Sequence, residues 1–383
     1  MNNIKSIAFA LDPTNVPSFL LDWEVTKLCN LDCSYCSTGI EGGHDNTTKH
    51  PPLEDCLRTI DFMYEYVDHY MKHKKSSQRK VVLNVYGGES LFHPNIVEIL
   101  TACREKHKGY DWYLTITCTT NGIVGKTQWN RIVTLVDEFT VSYHAENMPK
   151  QKQQYKDNVL YLKENNKRFK CVVMMHNNAE LFADSEEIIE FCKTNELRYV
   201  AKPLDNHQLE WAYTSEQYSK LKTFWISKVP EKQKLEYVKS ISNVGTNEKV
   251  LSINEGRPCC GGRKLSLNND LKSSVSFVPR QGFRGWSCSV NWFFLFVRQL
   301  DGAVYTNKDC MTSTSGKIEP LGYLSDTAKI LTTLQNQLDN KAMPVIQCVK
   351  EICMCGFCAP KAENKQQFLE LINRNVPENI FQH

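Results

Sequence analysis

Two periodicities alternate along this chain. "SFLLDWEV", ending at Val25, has the β-branched and aromatic character of a strand and runs straight into the loop "LCNLDCSYC". Leu57, Ile60, Met63, Tyr64 and Val67 then recur at helical spacing within Leu53 to Met71. "VVLNVYGGE" reads as a strand ending in glycines, with a helix from Pro94 to Lys106 behind it. "WYLTITCTTNG" precedes a helix from Thr127 to Val136, and "EFTVSYH" precedes one around Tyr155 to Glu164. "KCVVMMH", a helix from Ser185 to Thr194 and "RYVAKP" complete the series. Six strand–helix alternations before residue 210 predict a parallel α/β sheet or barrel.

In such sheets the functional loops lie at the carboxyl ends of the strands. The cysteine loop, "GGE", "TNG" and "SYHAE" all fall there, so four motifs converge on one face. Beyond them the chain divides as a lead (1–18), the alternating region (19–212), a polar helical bridge (213–256), a cysteine-rich module (257–360) and an amphipathic terminal helix (361–383). The cysteine-rich module holds short strands such as "WFFLFVRQ" and "GAVYT" around an Asp301-Gly302 turn. Trp292, Phe293, Phe294 and Phe296 read as core.

Composition narrows the class. The chain has 383 residues, long enough for two domains. Its formal charge of +3 is too small to argue by itself for nucleic acid or an anionic membrane, and neither is expected as a partner. The longest apolar run, "WFFLFV", is far short of a membrane span, and no signal-peptide pattern opens the chain; the expectation is a cytoplasmic protein. Sixteen cysteines are many for that compartment, and their placement is uneven. Cys56, Cys103, Cys118, Cys171 and Cys192 sit in apolar patterns as small hydrophobes. The others fall in two groups, Cys29, Cys33 and Cys36 near the start and eight between Cys259 and Cys358, which reads as two metal-cluster regions.

Thiolates in one short loop suit an iron–sulfur cluster or zinc. Zinc would need a fourth ligand, and His44 and His50 stand in no zinc-like register. A four-iron cluster held by three cysteines keeps one iron open for a small ligand. "CNLDCSYC", with Tyr35 before the last cysteine, resembles the signature of the radical S-adenosylmethionine (SAM) superfamily. The resemblance, over residues 19 to 210, implies a partial (β/α)6 TIM-like barrel whose open iron is chelated by SAM. It implies that Gly87, Gly88 and Glu89 meet the SAM amino group, that Asn121 and Ser142 touch the ribose or methionine carboxylate, and that Tyr35 lies against the adenine. The implied reaction is reductive cleavage of SAM to a 5′-deoxyadenosyl radical that takes a hydrogen atom from the substrate, with an electron donor such as flavodoxin or ferredoxin.

Downstream, Cys288, the aromatic strand, the Asp301-Gly302 turn, Cys310 and "GYL" resemble the auxiliary-cluster domains called SPASM or twitch. Cys348, Cys353, Cys355 and Cys358 are spaced tightly enough for a cluster-binding loop, and four such cysteines also suit zinc. The expectation is at least one auxiliary [4Fe-4S] cluster, on Cys288, Cys310 and two cysteines of the last group. Cys259 and Cys260 depart from the family pattern and could be ligands, a substrate-facing thiol or buried residues.

His144 and His176 end strands on the same face, as acid–base groups or as satisfied structural histidines. Lys202 could neutralise a carboxylate of SAM or substrate. "KHKKSSQRK" reads as a solvated loop at the opposite end. The functional expectation is a radical SAM oxidoreductase or maturase modifying a peptide or protein. A dehydrogenase or epimerase of a small metabolite, such as a sugar or aminoglycoside, is the alternative. With only a short lead before the first strand, no fused leader-peptide domain is expected.

Overall fold

Six strands follow one another both in sequence and in space. The computed structural model describes residues 6–7, 19–36, 49–73, 79–204, 213–226, 264–267, 275–278, 284–306, 319–340, 342–348 and 361–368. Within it, β1 (Phe19–Thr26), β2 (Lys80–Gly87), β3 (Tyr113–Thr120), β4 (Glu138–Tyr143), β5 (Arg168–Met175) and β6 (Tyr199–Pro203) pair in that order, all parallel. Helices α1 (Leu53–Lys72), α2 (Ile96–His107), α3 (Lys126–Leu135), α4 (Pro149–Glu164) and α5 (Ala179–Thr194) fill the connections. Right-handed crossovers between strands that add in sequence order all turn the same way, so the helices collect on one face.

Burial follows that rule. Phe19, Leu21, Trp23 and Val25 alternate along β1 and are fully buried, and the Phe19 ring meets Tyr66 and Tyr70 of α1. Val81, Leu83 and Val85 of β2 and Phe139, Val141 and Tyr143 of β4 repeat the pattern. Each such apolar side chain contributes roughly 2 kcal/mol by leaving water. The intervening positions face away from the helices, and among them Asp22, Asn84 and Thr117 are polar. Asn84 Nδ2 donates to Asp22 Oδ1 at 2.9 Å, and Thr117 Oγ1 donates to Asn84 Oδ1 at 3.2 Å, which joins three adjacent strands. Helices on one face and this hydrogen-bonded row on the other belong to the expected partial (β/α)6 barrel.

Two helices begin earlier than apolar periodicity predicts. α4 starts at Pro149, whose ring suits the first helical position, six residues before Tyr155. α5 starts at Ala179 because the Asn178 side chain accepts from the Glu180 and Leu181 amides. Caps, rather than the apolar stripe, set both ends. The bridge begins as a helix, α6 (Ser215–Ile226), and its remainder lies outside the described residues.

The aromatic strand of the second module extends the main sheet. β7 (Phe294–Arg298) lies parallel to β1 on its free side, and β8 (Ala303–Tyr305) and β9 (Gly322–Tyr323) continue outward antiparallel. Trp292, Phe294 and Phe296 are core, as expected. Gly302 turns the β7–β8 hairpin with φ +69°, and Asp301 Oδ1 accepts the Ala303 amide at 3.1 Å. α7 (Thr327–Asp339) then packs near α1. A separate four-stranded sheet runs in the order Ser6–Ile7, Lys361–Ala362, Ser287–Cys288, Ile346–Gln347. It therefore joins segments on both sides of position 360 to the lead. Cys259, Cys260, Cys310, Cys353, Cys355 and Cys358 lie outside the described residues, as do positions 74–78 of the basic loop and 369–383 of the expected terminal helix. The expected first residues of that helix, Lys361–Ala362, form a strand because they pair with Ser6–Ile7 and Ser287–Cys288.

Candidate metal centre

The cysteine loop leaves β1 through an irregularity. Glu24 pairs with Tyr86 but Thr26 pairs with Gly87, so β1 carries one extra residue just before the loop. Such bulges redirect a strand end and commonly lie beside functional sites. The glycine pair answers this bend. A Cβ on Gly87 would overlap the Thr26 carbonyl oxygen, and one on Gly88 would overlap that of Lys27 and stand 2.6 Å from that of Leu28. Only bare backbone fits there, and it bonds: Gly88 N–H donates to Thr26 O at 2.9 Å and Glu89 N–H to Leu28 O at 2.8 Å. Here the close approach that the glycines permit is to the chain's own cysteine loop.

Glu89 is 1% exposed, and both of its oxygens are taken by the protein. Oε1 accepts from the Leu91 amide and the Thr120 hydroxyl, each at 2.9 Å, and Oε2 accepts from the Asn121 amide at 2.6 Å. Burial pushes its carboxyl up to about 7, against the pull of these donors. Glu89 thus ties the end of β2 to the end of β3. Asn121 carries the link onward: its Nδ2 donates to Asn30 Oδ1 at 2.7 Å, and Asn30 Nδ2 donates to Ile123 O at 3.0 Å. Asn30, inside the cysteine signature, was not singled out in the sequence. Its reciprocal amide pairing with the "TNG" corner gives it a role.

The far half of the loop meets β4 and β5. The Tyr35 hydroxyl and His144 Nδ1 share a hydrogen bond at 2.7 Å, the Tyr35 ring lies nearly parallel to His144, and His176 stands edge-on at 5.9 Å. Cys33 Sγ is 3.5 Å from the same His144 nitrogen. Burial, and secondarily the Lys202 ammonium, hold the His144 imidazolium below its ordinary pKa. Burial likewise lowers His176, opposed by Glu146. Lys202 of β6 pairs in register with Met174 of β5, and the two face the same side of the sheet. Ser142 precedes His144 on that face, half-buried, with no side-chain hydrogen bond among the described residues. Glu146, also unassigned in the sequence, accepts the Ser34 amide at 2.7 Å and the Ser34 hydroxyl, and reaches His176 Nε2 at 3.3 Å. Its position in "SYHAE" was the only signal for it.

Together these contacts hold the loop that carries the three half-buried thiols. Cys33 feels the charge of both Cys29 and Cys36, and Cys29 that of Cys36. Burial pushes Cys29 up to about 11 and Cys33 up to about 12, so both are protonated near neutral pH until a metal displaces the proton. Among the described residues, no three His, Cys, Asp or Glu side chains converge as one metal ion requires. Three soft thiol donors fit an iron–sulfur cluster. A buried donor is also left over after β4: Asn147, 6% exposed, has an Nδ2 with no hydrogen-bond partner among the described residues.

Of the second group, the structure describes Cys288 and Cys348. Cys288 lies opposite Ile346, while the Cys348 amide donates to Trp286 O at 2.8 Å and its carbonyl accepts from Gly285 at 2.7 Å. The two cysteines therefore share one face of adjacent antiparallel strands in diagonal register, about 7–8 Å apart at Cα.

Fold and site define an α/β partial barrel with a three-cysteine loop at the carboxyl ends of its parallel strands. No protein-family model matches the chain, and no curated protein does. Among solved structures it is similar to native anSMEcpe with bound AdoMet, at 15% identity and TM-score 0.49, over 94% of this chain and 98% of that one. It is also similar to native anSMEcpe with bound AdoMet and Cp18Cys peptide, at 14% identity and TM-score 0.48, over the same shares. No described helix is long and apolar enough to cross a membrane.

Proposed function

We propose that this chain is a radical SAM enzyme that modifies a peptide or protein. The observation that carries the reading is the fixing of Cys29, Cys33 and Cys36 at the barrel mouth by residues from the ends of β2, β3, β4 and β5. Cys29, Cys33 and Cys36 would hold a [4Fe-4S] cluster. When bound, the cluster and SAM supply a one-electron cleavage that yields a 5′-deoxyadenosyl radical able to take a substrate hydrogen atom.

The chain's own contribution is position and exclusion of water. Gly87 and Gly88 seat the loop, and Glu89 and Asn121 brace it from below. Asn147 Nδ2 and the Ser142 hydroxyl remain as donors for SAM. Tyr35, flanked by His144 and His176, offers an aromatic surface for adenine. A neutral His144 and the Lys202 ammonium are the polar groups for substrate or SAM carboxylate. Cys288 and Cys348, in diagonal register, would share an auxiliary cluster with Cys310 and a further cysteine of the last group. The peptide substrate rests on the resemblance of the second module to SPASM or twitch domains.

Anaerobic reconstitution with iron and sulfide, followed by dithionite and SAM, tests the reading. Formation of 5′-deoxyadenosine in the wild type but not in Cys29→Ala is expected. Equal amounts in both would sink it. Deuterium recovered in 5′-deoxyadenosine from a labelled sugar but from no peptide would replace the peptide substrate with a small metabolite.

A further inference from the structure

The recognised motifs leave one strong contact to the cysteine loop unexplained. Ser34, between Cys33 and Tyr35, donates both its backbone amide and its hydroxyl to the Glu146 carboxylate. Hydrogen bonds to a charged acceptor are roughly twice as strong as neutral ones. The carboxylate is itself held. His176 Nδ1 accepts the Asn178 amide at 2.9 Å, which leaves the proton on Nε2, facing Glu146 at 3.3 Å. One side chain thus links the loop after β1 to the ends of β4 and β5.

The division of labour is uneven along the loop. The Cys29 end is held, through Asn30 and Leu28, by Asn121 and the Glu89 amide, both on the β2–β3 side. The turn from Cys33 to Cys36 closes with one backbone bond, Cys36 N–H to Cys33 O at 3.0 Å. His144 and Glu146, after β4, anchor it further, and the His176 ring at the end of β5 stands edge-on to Tyr35. Of these, only Glu146 grips the backbone.

We propose that Glu146 is a positioning residue for the cysteine loop. Its carboxylate clamps Ser34 and sets the Cys33–Cys36 turn in the shape that receives the cluster. The clamp rests on the proposed cluster for its purpose but not for its existence, so the two are tested separately.

Amide hydrogen exchange on the reduced, metal-free chain reads the clamp directly. In Glu146→Ala the amides of Ser34 and Cys36 are expected to exchange about fivefold faster, with that of Leu31, beside Cys29, unchanged. Ser34→Ala keeps the amide contact and gives a smaller effect, and the double variant matches Glu146→Ala alone. Unchanged exchange at Ser34, equal acceleration at Leu31, or additive effects in the double variant would each overturn the clamp. A second measurement follows iron release from the reconstituted chain to a chelator. Faster release from Glu146→Ala is expected, with Glu146→Gln, which keeps one acceptor oxygen, in between. Release at the wild-type rate would remove the clamp's role toward the cluster. A wild type that takes up no iron would defeat the proposed function instead, and the exchange measurement would still decide the clamp.

Discussion

Asn121 Nδ2 donates to Asn30 Oδ1 at 2.7 Å, across 91 positions of sequence. The contact joins the "TNG" corner to the middle of the cysteine signature. It leaves Asn121 Oδ1 to accept the Ile123 amide at 2.9 Å, so the buried Asn121 side chain is spent on holding the loop. Asn30→Ala would strand the Asn121 amide in a buried position, at a cost of about 1–3 kcal/mol. The expected outcome is a lower melting temperature of the metal-free chain and weaker iron retention. An Asn30→Ala chain that melts with the wild type would contradict it.

Gly88→Ala is expected to be worse than an ordinary overpacking change of about 1–3 kcal/mol. The added methyl would meet the backbone of Lys27 and Leu28, which has no rotamer to turn away. Circular dichroism should show a destabilised chain, and reconstitution should return little iron. Gly125→Ala, where the new methyl meets nothing within 4 Å, serves as the matched control.

Glu89 gives a pH signature. Its folded-state pKa is raised to about 7, above the unfolded value of about 4.3, so the folded state binds the extra proton between them. Stability from this group is full below the unfolded value and is lost as pH rises towards about 7. The lowered histidines act oppositely, since folding disfavours their cations and acidification below about 6.5 costs stability. Glu89→Gln should therefore lower stability overall and also steepen its fall in acid. Urea midpoints from pH 5 to pH 8 measure this. A Glu89→Gln curve merely parallel to wild type would show that Glu89 keeps its ordinary pKa.

Cys288→Ala and Cys348→Ala should each reduce the iron bound after reconstitution by about four per chain, and the double variant should lose no more than either single. Formation of the SAM-dependent cluster signal should survive in all three. If either single variant binds as much iron as wild type, the two cysteines do not share a cluster.

The barrel was legible because strand and helix periods differ and the first four strands each ended in a motif. Helix starts at Pro149 and Ala179 were not, since caps are single residues outside the apolar stripe. The site's residue types were legible, but the contacts of Glu89 were not. Sequence marks a carboxylate beside two glycines as a ligand-facing group, whereas only packing shows its oxygens already occupied by Leu91, Thr120 and Asn121. Asn30 and Glu146 stood inside quoted motifs and gained their roles only when distant strand ends met them. The β7 pairing was the least legible, because nothing local in "WFFLFV" names its partner.

That pairing has a consequence for assembly. Trp23 Nε1 donates to Gln299 Oε1 at 3.0 Å across 276 positions, and Leu20 N–H donates to Phe293 O at 2.7 Å. The strand that delivers the cysteine loop therefore keeps a bare edge until the chain beyond residue 290 has been made. Contacts so distant in sequence form late and slowly. During synthesis the first cysteines emerge early but rest on an unfinished strand, so the two cysteine regions are tied into one order of events. A nascent chain halted before β7 should show that edge by aggregating.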